Sequence, residues 1–360
     1  MAAGGIDVFR QWAWRGYKRL ETKVHQLRYL FFEVTRRCNL ACIHCGSDCS
    51  QEASMPEMTL ASWISIMDYV KAHWNPFIVV TGGEPLVRPD LCELTAALAN
   101  RQLVWGMVTN GLALDQAVFD TLVGNGLSSI TLSLDGDRDR HQHIRRHPRA
   151  YDQALAAMNI IGASSLRFKD VVTCVYPGNL DLLQSLADQF VGSGMNSWRL
   201  FRIFPKGKAA RHPELFLDHA QSWRLVEWIR DHRALYRQRG LDISFSCEGY
   251  LPFTLDRQVR PDPFFCRAGI NIASILSDGT ITGCNNNGTQ YHQGNVAVDD
   301  FHTVWENGFT EYRDRSWLRT GRCAGCAQWR DCQGGSIHLR DKTMDGPQFC
   351  YVQPPQHSRS

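Results

Sequence analysis

The chain has 360 residues, of which 44% are hydrophobic and 21% charged, with a formal charge of +3. That size suits one large α/β domain with a smaller companion, or a single large barrel, and allows a sizeable core. Its 39 basic and 36 acidic residues nearly balance, which gives no ground for expecting general nucleic-acid binding.

Residues 8–26 read as a helix in which Phe9, Trp12, Tyr17 and Leu20 alternate with Arg10, Arg15, Lys18, Arg19 and Lys23. Such a helix either closes one end of the domain, the favoured reading, or lies on a membrane surface. Short β-type runs follow at Tyr29–Thr35, Phe77–Thr81, Val104–Thr109, Ser129–Leu134, Val171–Val175 and Trp198–Phe204. Helical patterns lie between them at Met58–Ala72, Asp90–Asn100, Asp115–Gly124, Tyr151–Ile161 and Leu180–Phe190, and Asp218–Arg239 follows the last. Strand alternating with helix predicts a parallel sheet with right-handed crossovers, and six units predict a partial (β/α)6 barrel of the TIM type. In such folds functional groups gather at the C-terminal ends of the strands. The charged runs Asp137–Arg140 and Arg145-Arg146-His147 read as mostly solvated loop, with Arg145 the exception.

The pattern changes after about residue 243. Ile272–Leu276, an Asp278-Gly279 turn and Thr280–Gly283 predict a hairpin in a second, smaller cysteine-rich domain. The expected boundaries are 1–26 for the N-terminal helix, 27–245 for the barrel, 246–352 for the second domain and 353–360 for a mobile tail. Apolar runs such as Phe77–Val80 fall far short of the ~20 residues that a membrane span needs. Asp7 and Arg10 precede any long apolar run, so no secretory signal is read and the cytoplasm is the expected compartment.

Thirteen cysteines is the unusual number. An odd count in a long chain argues against a disulfide framework. The first group, Cys38, Cys42 and Cys45, has the spacing C-x3-C-x2-C directly after the first strand, with Cys49 close behind. Three thiolates on a short loop can hold three irons of a cubane and leave the fourth iron open to a ligand. A zinc site, a closed cluster with Cys49 as fourth ligand, and inert thiols are the competing readings. Three further groups follow at successive strand ends: Gly82-Gly83-Glu84-Pro85 after the second, Asn110-Gly111 after the third, and Ser133-Leu134-Asp135-Gly136 after the fourth.

In that order, behind C-x3-C-x2-C, these motifs resemble the radical S-adenosylmethionine (SAM) superfamily over roughly residues 27–245. The resemblance implies that Cys38, Cys42 and Cys45 ligate a 4Fe–4S cluster whose fourth iron is chelated by SAM. It implies that the Gly82-Gly83-Glu84 segment holds the SAM amino group, that Ser133 and Arg145 meet its carboxylate, and that Asn110 lies beside it. His44 stands where the family often has an aromatic residue near the adenine. The implied chemistry is reductive cleavage of SAM to a 5′-deoxyadenosyl radical, which takes a hydrogen atom from the substrate.

The second cysteine group is Cys266, Cys284, Cys323, Cys326, Cys332 and Cys350. A zinc ribbon is one reading of it. The pattern resembles the SPASM/twitch extension of radical SAM enzymes, which carries one or two auxiliary iron–sulfur clusters. One position where that family has a cysteine is Ser336 here. The resemblance lets Cys323, Cys326, Cys332 and Cys350 form one auxiliary cluster. Cys266 and Cys284 then belong to another, with Cys247 as a speculative third ligand; the alternative is one cluster shared by the hairpin pair and a later pair. Cys247 has three readings, in order: a buried thiol, a ligand, or a hydrogen donor to a product radical. Cys49, Cys92 and Cys174 read as structural. More loosely, the stretch from Phe32 to Cys49, Trp105–Gly111 and Cys266-Arg267-Ala268-Gly269 resemble a subgroup of SPASM proteins, some paired with small lipoproteins.

The leading expectation is a maturase that oxidatively modifies a peptide or small protein, served by a low-potential electron donor of the flavodoxin or ferredoxin type. The second is small-molecule work, such as tetrapyrrole or cofactor maturation or carbinol dehydrogenation. The third, of another class, is a non-enzymatic iron–sulfur protein that moves electrons or senses oxygen.

Overall fold

A computed structural model describes residues 2–52, 55–246, 248–340 and 346–352; Cys247 and the expected tail 353–360 lie outside the described residues. The N-terminal helix α1 spans Ala2–Val24. Strands β1 (Tyr29–Glu33), β2 (Phe77–Thr81), β3 (Trp105–Thr109), β4 (Leu127–Ser133), β5 (Phe168–Val175), β6 (Ser197–Arg202) and β7 (Asp242–Phe245) then follow in order. Each pairs in parallel with its successor. The covering helices are α2 (Leu60–His73), α3 (Leu91–Asn100), α4 (Gln116–Gly124), α5 (Arg138–Arg145), α6 (Ala150–Ala163), α7 (Leu183–Gly192) and α8 (His219–Gln238). This is the partial barrel expected from the alternation, with one more parallel strand, β7, beyond the six.

The β-branched and aromatic runs bury Leu30, Phe32, Ile78, Val80, Trp105, Ile130, Leu132, Trp198 and Leu200. Each such side chain contributes roughly 1.5–3 kcal/mol when fully buried. Helix α2 turns Trp63, Met67 and Val70 inward, the spacing of one helical face. Side-chain N-caps at Thr59, Asp115 and Asp137 start α2, α4 and α5, and Asp218 with Gln221 forms a capping box on α8. Each cap contributes about 1 kcal/mol.

One expectation needs correction, and one element is placed more fully than the sequence allows. The run Asp137–Arg140, read as mostly solvated loop, instead caps and opens helix α5 (Arg138–Arg145), which buries His141, Ile144 and the expected exception Arg145. The polar sequence hid a helix whose buried face is held by charge pairing. The hairpin, β8 (Ile272–Ile275) and β9 (Thr280–Thr282), joins the barrel's own sheet: β8 runs parallel to β1, with Tyr29 opposite Ile272. A two-residue β10 (Gly294–Asn295) completes the sheet order β10-β9-β8-β1-β2-β3-β4-β5-β6-β7. Helices α9 (Phe253–Val259) and α10 (Phe301–Asn307) flank this C-terminal segment.

Candidate functional site

Register decides which residues meet at the barrel mouth. Glu33 at the end of β1 lies opposite Thr81 at the end of β2, so the cysteine loop leaves β1 beside Gly82-Gly83-Glu84. The contact is tight: a Cβ on Gly83 would lie 2.4 Å from the Arg37 carbonyl oxygen, so only glycine fits. The Gly83 and Glu84 N–H groups donate to the Thr35 and Arg37 carbonyls at 2.8 and 3.0 Å. From the far side, the loop after β6 brings Lys208, whose N–H donates to the Cys45 carbonyl at 2.9 Å. Gly207 beside it has φ +53°, and a Cβ there would again meet the Cys45 carbonyl oxygen at 2.4 Å.

These contacts enclose a cavity of ≈ 130 Å³ lined by Cys38, Cys42 and Cys45 together with His44, Gly82, Gly83, Glu84, Asn110, Ser133 and Arg145. Every residue expected at the SAM site meets in this one space; Cys247, read as a buried thiol, a ligand or a hydrogen donor, lies outside the described residues. The Asn110 side-chain amide donates to Asn39 Oδ1 at 2.8 Å and points at Cys38 Sγ at 3.8 Å. Glu84 accepts from Asn110 N–H at 2.6 Å and Thr109 Oγ1 at 2.8 Å, so it pins the end of β3 to the cysteine loop. Burial lifts its carboxyl to about 7. Arg145 donates to Asp135 Oδ2 at 2.6 Å and holds Nη1 4.0 Å from Cys42 Sγ. Burial disfavours the charged guanidinium, but Asp135 and Cys42 outweigh it and its pKa rises.

Asp135 is the residue whose role sequence reasoning did not assign, although it stood in the Ser133–Gly136 motif. It accepts from the Cys174 N–H at 2.8 Å and receives Arg145, and His44 and His141 each come within 3.9 Å. Burial alone would raise its carboxyl, yet Arg145 and the two imidazoles hold it at about 2. His44 is lowered as well, to about 4, by burial and by Arg145, which for an imidazole favours the neutral form. It therefore presents a neutral ring to the cavity at neutral pH. His44, Asp135 and Cys174 place three ligand atoms within 4.8 Å of one another. The Arg145 guanidinium already neutralises that carboxylate, which disfavours a second cation there.

Cys49, read as structural, also lines the cavity. Its N–H donates to Cys45 Sγ at 3.4 Å. Its thiol does the same, and together with burial this drives the Cys49 pKa up, while Cys45 drops to about 6. Thiolate character therefore collects on Cys45. Burial moves Cys38 to about 12 and raises Cys42 as well, despite Arg145 beside it, so both thiols disfavour ionisation in the absence of a metal centre.

A second cavity, of ≈ 30 Å³, is lined by Cys323, Cys326, Cys332 and Cys350 with Tyr250, Trp329, Phe349 and Arg340. Arg340 Nη2 donates to Cys323 Sγ at 3.2 Å. Burial and the neighbouring Cys350 and Cys323 raise Cys332 to about 12. Cys266 and Cys284 do not line this cavity. The Cys266 thiol is buried, which alone would raise its pKa, but Arg315 and the Ile337 N–H lower it on balance.

The donor chemistry fits iron–sulfur clusters better than zinc. Four thiolates around one zinc stand about 3.8 Å apart, the edge of a tetrahedron with Zn–S of about 2.3 Å. Among the described residues, no trio of cysteine sulfurs lies within 4.8 Å of one another. Each cavity gathers buried thiols, and a cationic cluster would relieve the ionisation penalty that burial imposes on Cys38, Cys42 and Cys332.

A model of the radical SAM superfamily matches residues 32–189, and one of the SPASM iron–sulfur cluster-binding domain matches residues 266–327. The chain carries a radical SAM domain and a SPASM domain. These are the domains of a radical SAM/SPASM enzyme, and they imply SAM, a 4Fe–4S cluster and auxiliary clusters as its cofactors. The chain is similar to an AdoMet-dependent heme synthase of Nitratidesulfovibrio vulgaris, 25% identical over 92% of each chain. It is also similar to the mycofactocin maturase MftC of Mycobacterium ulcerans, 26% identical over 88% of this chain and 86% of that one. Among solved structures, Streptococcus suis SuiB bound to precursor peptide SuiA shares the fold, with a TM-score of 0.70 at 18% identity over 88% of this chain and 74% of that one. No helix among the described residues is long and apolar enough to cross a membrane.

Proposed function

We propose that this radical SAM/SPASM enzyme is a maturase that oxidatively modifies a peptide or small protein. The observation that carries the reading is the docking of the second cysteine cavity on the end of β6. Arg202 stacks on Phe349, beside Cys350, at 3.7 Å, and Phe204 meets His338 at 4.7 Å. An electron acceptor in that cavity would border the same barrel mouth as Cys38, Cys42 and Cys45. The likeness to MftC, and to SuiB with its precursor peptide, supports a polypeptide substrate.

In this reading Cys38, Cys42 and Cys45 hold the SAM-binding cluster, and Cys323, Cys326, Cys332 and Cys350 hold an auxiliary one. Gly82, Gly83, Asn110, Ser133 and Arg145 surround SAM, with the neutral His44 ring beside it. Glu84 acts through Asn110, which it fixes in place, and Asp135 orients Arg145. When bound, the reduced cluster and SAM supply a 5′-deoxyadenosyl radical that removes a hydrogen atom from the substrate. The same reading assigns 27–245 to the radical SAM barrel, 246–352 to the auxiliary segment and 1–26 to the N-terminal helix. It takes a flavodoxin- or ferredoxin-type reductant.

The heme synthase similarity, which spans 92% of both chains, favours a second reading, modification of a tetrapyrrole. The test is anaerobic reconstitution with iron, sulfide, SAM and a low-potential reductant, against a Cys38→Ala/Cys42→Ala/Cys45→Ala variant. Release of 5′-deoxyadenosine that needs the three cysteines is expected. A mass change in a candidate peptide supports the maturase. Turnover of a carboxylate-bearing tetrapyrrole, with peptides untouched, replaces it with the second reading.

A further inference from the structure

Helix α1 is built the wrong way round for a surface helix. Such helices normally bury an apolar stripe and expose charge. Here the polar residues face the protein. Arg15 forms a two-bond pair with Asp331 at 2.7 and 2.6 Å, and Gln11 donates to the same carboxylate at 2.9 Å. Lys18 is buried against the Asp331 carbonyl. Asp7 meets Arg257 at 3.2 Å, and the buried Glu21 meets Arg28 at 2.7 Å. The apolar residues point outward: Phe9 is 65% exposed, Trp12 66%, Leu20 59% and Val24 56%. At 100° per residue these four share one stripe, with Arg19 and Lys23 along one edge and Arg10 along the other. All three cations are exposed; of the helix's two acids, Glu21 is paired on the protein side and Asp7 is paired with Arg257 at 3.2 Å, with Arg10 more distant from it at 3.9 Å.

Beside the stripe, Trp12, Arg15, Gly16, Arg19 and Arg330 line a cavity of ≈ 260 Å³. With Arg15 committed to Asp331, the exposed Arg19 and Arg330 flank it with positive charge. Guanidinium groups matched to a phosphate, next to outward aromatic and aliphatic side chains, are what a lipid headgroup layer accepts. A second copy of the same face is a poor occupant, because a two-fold contact would oppose these cations to themselves.

We propose that α1 docks the enzyme on an anionic phospholipid surface, with its outward apolar stripe among the acyl boundary and Arg10, Arg19, Lys23 and Arg330 on lipid phosphates. The helix lies flat, about 35 Å of it at 1.5 Å per residue. The inference is independent of the substrate reading, since no residue of either cysteine cavity belongs to the stripe.

The test is flotation of the reconstituted holoprotein with vesicles of pure phosphatidylglycerol and of pure phosphatidylcholine. The protein floats with the first and not the second, and high salt releases it. Phe9→Ala/Trp12→Ala/Leu20→Ala and, separately, Arg19→Glu/Lys23→Glu each weaken binding by about tenfold or more, since each basic residue near such a surface counts. Iron content and 5′-deoxyadenosine release stay unchanged in both. Wild-type protein that does not float, floats equally with both lipids, or floats undiminished in the variants overturns the proposal. So does a dimer, or a complex with an acidic protein, that the same variants abolish while flotation is absent.

Discussion

The two cysteine cavities solve different problems. The first is assembled from strand ends: its cysteines leave β1, and the groups around them come from the ends of β2, β3 and β4 and from α5. Only three of its cysteines have the cluster spacing, and polar side chains such as Glu84, Asn110, Ser133 and Arg145 share its wall with glycines, Leu40 and Val108. The second brings together four cysteines of the C-terminal segment, with Gly249 and Tyr250 from before it, and the rings of Tyr250, Trp329, Phe349 and Tyr351 share its wall with glycines and polar residues. It encloses ≈ 30 Å³ against ≈ 130 Å³ for the first. In the proposed reading, the three thiols at the barrel mouth leave one iron of their cluster to a small molecule. A loop cage with a full set of thiols suits a closed centre that moves electrons.

The sharpest way to break this contrast is to damage the second cavity and read the first. Cys350→Ala removes one of its four thiols and leaves the barrel untouched. The auxiliary iron should be lost and modified substrate should fall to background, while 5′-deoxyadenosine release persists. Iron analysis and nucleoside chromatography on one preparation check this. Loss of nucleoside release along with the iron would mean that the two cavities act as one unit, against the division drawn above.

Most of the first cavity was legible because its parts are local. A strand followed at once by C-x3-C-x2-C is a pattern over a few residues, and the strand-end motifs lie at the ends of equally legible strands. What escaped notice depends on distant contacts. Helix α5 is polar along its length, and its buried face exists because Arg145 meets Asp135 across ten residues. The pairing of β8 with β1 joins residues more than two hundred positions apart, for which no periodicity speaks. The outward stripe on α1 was legible as composition, but which face turns inward is set by Asp331, far along the chain. Cys49 looked structural because its contact with Cys45 is a matter of loop geometry.

A smaller effect separates the pinned wall of the first cavity from its ligands. The Glu84 carboxyl is raised from 4.5 to about 7 by burial, against the Thr109 and Asn110 donors that favour the charged form. A carboxyl raised on folding disfavours ionisation in the folded state. Its contribution to stability is fully present below about 4.5 and is lost as pH rises through about 7. The full difference is on the order of 3 kcal/mol. Glu84→Gln should therefore flatten the dependence of unfolding free energy on pH across this window. It should lower stability at low pH, because one amide N–H then faces a hydrogen-bond donor, and this deficit should shrink as pH rises through about 7, where the wild type loses its own contribution. Unfolding curves in denaturant at several pH values measure the slope. An unaltered slope would show that Glu84 is not the group that titrates.

The smallest expected effect bears on whether the first cavity is open at all. If Cys49 were a fourth protein ligand, both cavities would hold closed clusters and the contrast would vanish. Cys49 touches Cys45 rather than facing the space on its own, and its backbone N–H, which donates to Cys45 Sγ at 3.4 Å, survives truncation of the side chain. The thiol adds one more donor to a sulfur that also accepts from Ser47. Cys49→Ala should leave the iron content of the first cluster intact and keep 5′-deoxyadenosine release within about twofold, the size of losing one weak hydrogen bond. Iron loss comparable to that of the three-cysteine variant would make Cys49 a ligand, and the open position would have to be sought elsewhere. Retention leaves the fourth iron to SAM, with Arg145 and Ser133 beside it.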